Sequence, residues 1–286
     1  MRIAVLSGKG GTGKTFISTN LAYAKGSSVY IDCDVEEPNG RLFLKPRINL
    51  TEKVNVMVPV VDAEKCTGCR RCVDFCKFNA LAYIKDKLLI FPDLCHSCKG
   101  CVMVCSNKAL METNKHIGYI EYGISKNVKV LTGILNTGEA TGVPIIHKVL
   151  SNKSQDFTVI VDCPPGSSCT VMESIKDADF CLLVAEPTVF GIHNLNMVYK
   201  LVKLFNKPHA IIVNKDMGDK NIIQKFCKDN DIKVIANIPY DAEIGFANSK
   251  GLLASEEDNR YLNLFKGILD MIEMEVQHEA TCNIER

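Results

Sequence analysis

Eight cysteines in two runs of identical spacing carry the strongest chemical signal in the chain. Cys66, Cys69, Cys72 and Cys76 read C-x2-C-x2-C-x3-C, and Cys95, Cys98, Cys101 and Cys105 repeat that spacing after a short connector. Thiolates are soft ligands, and four at this pitch wrap a cubane [4Fe–4S] cluster. Structural zinc sites instead pair two short Cys/His units across a longer spacer. Disulfides need an oxidising compartment, to which nothing else in the chain points.

The runs are similar to those of bacterial two-cluster ferredoxins, in which the fourth cysteine of each run ligates the other cluster. The resemblance implies one ligand set of Cys66, Cys69, Cys72 and Cys105, and a second of Cys95, Cys98, Cys101 and Cys76. It has one departure: Lys77 and Ser106 stand where that family places a proline after the fourth cysteine, which removes no ligand. The connector from Ala80 to Phe91 reads as a hairpin between the runs. His96, inside Cys95-His-Ser-Cys98, is either an outer-sphere tuner of a cluster or an exposed loop residue.

A second motif lies at the start of the chain. Residues 2–7 read as a short buried strand, followed by Gly8-Lys-Gly-Gly-Thr-Gly-Lys-Thr15 and then helix-forming residues from Phe16 to Lys25. This is G-x-x-x-x-G-K-[ST] in its strand–loop–helix setting, a phosphate-binding loop. Gly8, Gly10, Gly11 and Gly13 let backbone N–H groups, with that of Thr12, face phosphate oxygens at a helix N-terminus. Lys14 is the candidate for the β- and γ-phosphates, and Thr15 for Mg2+.

Lys9 narrows the reading, because K-G-G-T-G-K-T resembles the deviant loop of the MinD/ParA family, a group that also includes nitrogenase iron protein. The resemblance implies ATP, Mg2+ and an ATP-dependent homodimer in which Lys9 reaches the partner's phosphates. It extends to Val29-Tyr-Ile-Asp-Cys-Asp34, where Asp34 would orient the attacking water and Asp32 support the metal shell. It continues to Thr158-Val-Ile-Val-Asp162 and Cys163-Pro-Pro-Gly166, where Asp162 would hold Mg2+ through water. Asn214 resembles the family's adenine-contacting residue, and Ile238-Pro-Tyr-Asp241 the loop behind the base.

Strands at Asp179–Thr188 and Ala210–Lys215 complete an alternation of strands and helices. The expected fold is α/β, a P-loop NTPase with a mainly parallel sheet covered on both faces. It is expected to be interrupted by an α+β ferredoxin-like insert. The domain boundaries this gives are 1–57 with 113–286 for the ATPase, and 58–112 for the insert. Val-Pro-Val-Val-Asp62 and Met111-Glu-Thr-Asn114 mark the seams.

At 286 residues, 47% hydrophobic and net charge +1, the chain can bury a large core and has no global field to attract nucleic acid. No apolar stretch reaches bilayer length, so no stable membrane insertion is expected. Met1-Arg-Ile-Ala-Val-Leu runs straight into the glycine-rich loop with no small-residue cleavage site, so no cleavable signal is expected. With clusters and free thiols, the expected location is a reducing cytoplasm. The C-terminal stretch Tyr261–Val276 places Leu262, Phe265, Leu269 and Ile272 on one face. Its polar face carries Asp270, Glu273 and Glu275 against Lys266, which suits core packing better than anionic lipid. Cys33, Cys163, Cys169, Cys181, Cys227 and Cys282 form no C-x-x-C pair and read as small hydrophobes, with a thiol sensor beside the nucleotide as the alternative.

The function expected from these readings is an ATP-binding and hydrolysing iron–sulfur protein. Nucleotide-driven dimer switching would be coupled to electron transfer or metal-cofactor maturation, with a redox or metalloprotein partner. The alternatives are a cluster carrier that serves apo-targets and a positioning ATPase with a structural ferredoxin module.

Overall fold

The computed structural model describes residues 1–152, 157–218 and 222–284, with side chains described to residue 278. Its strands are β1 (Arg2–Ser7), β2 (Ser28–Asp32), β3 (Arg47–Val61), β4 (Leu81–Ile84), β5 (Lys87–Ile90), β6 (Leu110–Ser125), β7 (Val128–Leu135), β8 (Thr158–Asp162), β9 (Phe180–Ala185), β10 (His209–Asp216) and β11 (Val234–Pro239). Nine of them form one sheet in the order β11-β10-β9-β1-β8-β2-β7-β6-β3. The first seven in that order run parallel. β6 and β3 are added antiparallel at one edge.

The parallel strands are apolar at nearly every position because both of their faces are covered. Ala4, Leu6, Val29, Ile31, Val159 and Val161 point to one core, beneath the helices Val143–Leu150, Cys169–Ile175 and Val189–Leu204. Their alternates Ile3, Val5, Tyr30 and Ile160 point to the other, beneath the helices Lys14–Lys25 and Asn259–Ile284. The latter buries Phe265, Ile268, Leu269 and Ile272 there, so the C-terminal amphipathic face packs on the core. Among the described residues no helix is long and apolar enough to cross a membrane.

At the antiparallel edge the fold changes character. β3 and β6 pair from Arg47 opposite Ile124 to Val61 opposite Leu110, whereas β7 covers only the Gly118–Ser125 half of β6. The remaining half projects as a two-stranded ribbon. The expected seams fall inside it: Met57 pairs with Asn114 and Pro59 with Glu112, so both strands run unbroken through those positions. Pro59 is tolerated because β3 is the edge strand. The chain leaves the ribbon only after Val61, where the Asp62 N–H donates to the Ala109 carbonyl across the neck at 2.7 Å.

The segment beyond that neck folds as a twofold repeat. Arg70 and Lys99, each following the second cysteine of its run, adopt left-handed backbone angles (φ 60° and 63°). Each precedes a short helix, Arg71–Phe75 and Gly100–Met103, that carries the third cysteine. Asn79 and Lys108, three residues past the fourth cysteine, repeat the left-handed geometry. The hairpin expected between the runs is β4–β5. A small core of Ala80, Leu81, Cys101 and Leu110 holds the unit together.

Gly118 sits where the ribbon leaves the three-stranded edge. A Cβ there would lie 2.1 Å from the Ile134 carbonyl oxygen and 2.6 Å from Ile145 Cδ1. The first is backbone and cannot move aside. Gly118→Ala is expected to cost about 1–3 kcal/mol, measured as a lower urea midpoint for loss of the sheet. An unchanged midpoint would show that β7 is not held this close.

Candidate functional site

The loop Gly8–Thr15 leaves the carboxyl end of β1 and enters the helix Lys14–Lys25. The helix N-cap is Gly13, with φ 91° and ψ 20°; no side chain caps the helix and no acidic residue lies in its first turn. Its leading N–H groups therefore face the loop's concavity, the arrangement that receives phosphate. The loop is braced from β10: Asn214 Nδ2 donates to the Thr12 carbonyl at 2.8 Å and Lys215 Nζ to the Gly11 carbonyl at 2.7 Å. A Cβ at Gly13 would lie 2.2 Å from Asn214 Nδ2, so this position needs glycine for space as well as for its backbone angle. Asn214, expected at the adenine, is buried and directed at the loop backbone.

Parallel pairing of β2 with β8 sets Asp32 directly beside Asp162. Lys14 Nζ lies 2.5 Å from Asp162 Oδ1 and 3.6 Å from Asp34 Oδ2. The other oxygen of Asp162 accepts the Tyr30 hydroxyl at 2.8 Å. Asp32 is turned away from Lys14: Oδ1 accepts the Asp34 N–H at 3.1 Å and Oδ2 the Gly40 N–H at 2.9 Å. It therefore shapes the segment after β2. Burial alone would weaken the Lys14 ammonium, but Asp162 and then Asp34 outweigh it and hold its pKa above the ordinary lysine value. Burial, then the charge of Asp162, pushes the Asp32 carboxyl up, against the pull of Lys14.

Of these groups Lys14 and Asp34 line a cleft of about 900 Å3, with Asp162 buried directly behind Lys14. Lys9, Lys14, Thr15, Asp34, Glu139 and Ser168 are among its lining residues. Lys9 Nζ lies 2.9 Å from Glu186 Oε2, and Lys215 Nζ lies 2.6 Å from the other oxygen of that carboxylate. Two carboxylates, Asp162 and Asp34, face the buried Lys14 ammonium, a hard-oxygen set with negative charge in excess. Among the described residues no three His, Cys, Asp or Glu converge on a single ion. The Asp34 carboxylate and the Thr15 hydroxyl at the cleft surface are the sparse hard-oxygen donors that Mg2+ takes, its shell being completed by water and phosphate. Thr15 lines the cleft, whereas Asp162 and Asp32 are both fully buried behind it.

The cysteine runs make a different kind of site. Cys66, Cys69, Cys72 and Cys105 edge one cavity, with Tyr83 and Leu88. Cys95, Cys98, Cys101 and Cys76 edge another, with Phe75 and Leu81. Each cavity thus takes three cysteines from one run and the last from the other. Soft thiols gathered in fours are the donor chemistry that an iron–sulfur cluster takes. Backbone N–H groups point at several sulfurs: Ala80 to Cys76 at 3.4 Å, Ser97 to Cys95 at 3.4 Å and Ala109 to Cys105 at 3.3 Å. His96 stacks on Phe78 with ring centroids 3.8 Å apart.

Of the remaining cysteines, Cys33, Cys163, Cys181 and Cys227 are buried and Cys169 is exposed. Burial pushes the Cys33 and Cys163 thiols far above their ordinary value, so both are packed as inert hydrophobes. The Cys282 side chain lies outside the described residues. Three residues of the site went unread in the sequence. Tyr30 looked like strand filler, and Glu186 and Glu139 sit in no motif.

A parallel sheet with a phosphate loop at the carboxyl end of β1 and acids closing β2 and β8 defines a P-loop nucleotide-binding protein. The CobQ/CobB/MinD/ParA nucleotide-binding domain matches residues 3–254, and the chain belongs to that family. An uncharacterised protein of Methanocaldococcus jannaschii is 32% identical over 248 residues, 80% of this chain and 90% of that protein. An uncharacterised ferredoxin of the same organism is 39% identical over 56 residues, 18% of this chain and 73% of that one. The septum site-determining protein MinD of Pyrococcus horikoshii, solved with Mg-ADP, shares the fold. It has TM-score 0.60 and 17% identity, over 96% of this chain and 98% of that one.

Asp34 gives this site a pH signature. Burial, opposed by Lys14, lifts its carboxyl from 3.8 to about 6. A raised folded value means that the folded state binds the proton more tightly than the unfolded chain. This contribution to stability is full below the unfolded value and lost as pH rises to the folded one. Relative to Asp34→Asn, the wild-type protein should lose stability between about pH 4 and pH 6, measured by urea unfolding across that range. A constant difference between the two proteins would show that Asp34 is not buried against the cluster of acids.

Proposed function

We propose that this chain is a Mg2+-dependent ATPase. ATP binding draws two copies together, and this switching is coupled to electron transfer, or to metal-cofactor maturation, through two [4Fe–4S] clusters. The observation that supports the reading best is the pairing of two sites in one chain. A phosphate loop on a nucleotide-binding fold is joined by a continuous ribbon to two cavities, each edged by four cysteines. The partial likeness to a ferredoxin, and the Mg-ADP carried by a protein of the same fold, point the same way.

The residues take complementary roles. Loop N–H groups and Lys14 bind the β- and γ-phosphates; Lys14, extended toward Asp162, swings from that carboxylate onto phosphate oxygen. Thr15 and Asp162 would hold Mg2+, which neutralises charge on the transferred group. Asp34 orients the water whose oxygen forms the new bond to the γ-phosphorus as the bond to the β–γ bridging oxygen breaks, leaving ADP and phosphate. Phosphoryl transfer needs little beyond this positioning and electrostatic support. Each set of four cysteines would hold one [4Fe–4S] cluster, supplying a one-electron couple. Exposed Phe75, Leu94 and Met103 give the cysteine unit an apolar surface for a redox or metalloprotein partner.

Lys9 is the residue that serves the second copy. It shares Glu186 with Lys215, so the carboxylate stays neutralised when Lys9 leaves to reach the partner's phosphates. Lys9→Ala should retain ATP binding, lose ATP-dependent dimerisation and slow hydrolysis about 100-fold, the scale of one lost charge-stabilising donor. Sedimentation with a non-hydrolysable analogue and a phosphate-release assay would show it. Full activity as a monomer would end the dimer reading.

The cysteine sets make a separate prediction. Cys76→Ser should alter the same EPR signal as Cys98→Ser and leave the signal altered by Cys69→Ser intact. If Cys76→Ser instead matches Cys69→Ser, ligation stays within each run and the crossed assignment fails.

A further inference from the structure

The nucleotide cleft and the cysteine unit meet at one side chain. Lys115 lies on the projecting half of β6, opposite Val56 of β3. Its ammonium lies 2.8 Å from Glu139 Oε2, 2.7 Å from Asp93 Oδ1 and 3.2 Å from the Pro92 carbonyl oxygen. Glu139 lines the cleft together with the phosphate loop. Its side chain and that of Lys115 are only 12% and 17% exposed. Pro92 opens the turn Pro92–Leu94 that leads into Cys95, and its carbonyl also accepts the Cys95 N–H at 3.2 Å. One carbonyl is therefore shared between Lys115 and the backbone of a residue that edges the second cavity.

The loop after β7 that carries Glu139 is anchored to the same strand. The Asn136 N–H donates to the Ile117 carbonyl at 2.9 Å, and Asn136 Nδ2 to the His116 carbonyl at 3.4 Å. With that backbone fixed, Glu139 answers a change in the cleft through its side chain and its pairing. The largely buried Lys115–Glu139 pair interacts far more strongly than it would in water, whereas Asp93, 78% exposed, holds the ammonium more weakly. Adding a polyanion beside Glu139 makes the cleft side of Lys115 more negative, which draws the ammonium toward Glu139 and away from Asp93 and Pro92. The turn before Cys95 then loses its outside support.

We propose that Lys115 is the positioning residue that transmits occupancy of the nucleotide cleft to the Cys95 end of the cysteine unit, through Glu139 on one side and Asp93 with the Pro92 carbonyl on the other. The inference rests on the reading of the cleft as a nucleotide site and goes beyond it in naming the connection and the cavity that receives it. The other cavity, edged by Cys66, Cys69, Cys72 and Cys105, has no such contact with Lys115 among the described residues.

Amide hydrogen exchange on the full-length, anaerobically purified protein tests this, with and without a non-hydrolysable ATP analogue. Analogue binding is followed separately by fluorescence. In the wild type, exchange across residues 92–99 should quicken on binding by about fivefold or more, the lower bound of ordinary allosteric coupling. Exchange across residues 66–72 should not change. In Lys115→Gln the 92–99 segment should exchange quickly with or without analogue, and Lys115→Arg should restore part of the nucleotide dependence. Glu139→Gln, which keeps the Asp93 contact, should leave the segment slow in both states. Bound analogue with no wild-type response, or an undiminished response in Lys115→Gln, overturns the proposal and leaves the nucleotide reading standing. Failure to bind any nucleotide overturns both.

Discussion

A single buried ammonium governs the nucleotide half of this molecule. Lys14 is drawn to Asp162, with Asp34 just beyond hydrogen-bond reach and Asp32 next to Asp162 on the neighbouring strand. Buried charges persist only where partners offset the cost of leaving water. The surroundings can be read as answers to that demand. Tyr30 supplies a donor to the second Asp162 oxygen, and the backbone of Asp34 and Gly40 supplies donors to Asp32. Parallel pairing of β2 and β8 brings the acids to one level, and the glycine at position 13 lets Asn214 close against the loop. On the proposed reading, an anionic phosphate and a divalent cation would re-partner Lys14 and the carboxylates that now face it.

The second constraint is mechanical. A cysteine unit on flexible linkers would be indifferent to the cleft. Here both linkers are strands paired to each other along their length, and one of them, β6, is joined at its base to β7, whose following loop lines the cleft. Two-stranded ribbons are poorly stable alone, so the closed neck at Asp62 and Ala109 and the charge bridge at Lys115 help to hold this one in place. The crossed division of cysteines adds to the rigidity, because neither cavity can form without both halves of the repeat.

Much of this was legible in the residue order, for local reasons. The phosphate loop is contiguous, so its glycines and lysine announce themselves. The parallel strands are short apolar runs ending in acids, and β1, β2, β8, β9 and β10 lie within a residue or a few of where the sequence placed them. What stayed hidden depends on register. Lys115, Asp93 and Glu139 are more than twenty positions apart, and only the β3–β6 pairing and the loop after β7 bring them together. Tyr30 reads as one more apolar strand residue until β8 sets Asp162 against its hydroxyl. The seams were read from Pro59 within Val-Pro-Val-Val-Asp62 and from Met111-Glu-Thr-Asn114, but an edge strand absorbs a proline without ending, so the strand pairing runs through both stretches. Asn214 was assigned by resemblance to the base, and its bond from Nδ2 to the Thr12 carbonyl, which braces the loop, is set by a strand position that the residue order does not show.

The central claim is that nucleotide and redox chemistry in this chain are coupled. The most direct measurement is an EPR-monitored redox titration of the anaerobically purified protein, made without nucleotide, with MgADP and with a non-hydrolysable ATP analogue. The account predicts two [4Fe–4S] signals, of which at least one changes its midpoint potential between the nucleotide states. Two signals with the same midpoints in all three states would contradict it and leave an ATPase and a ferredoxin-like unit that share a chain without sharing a function.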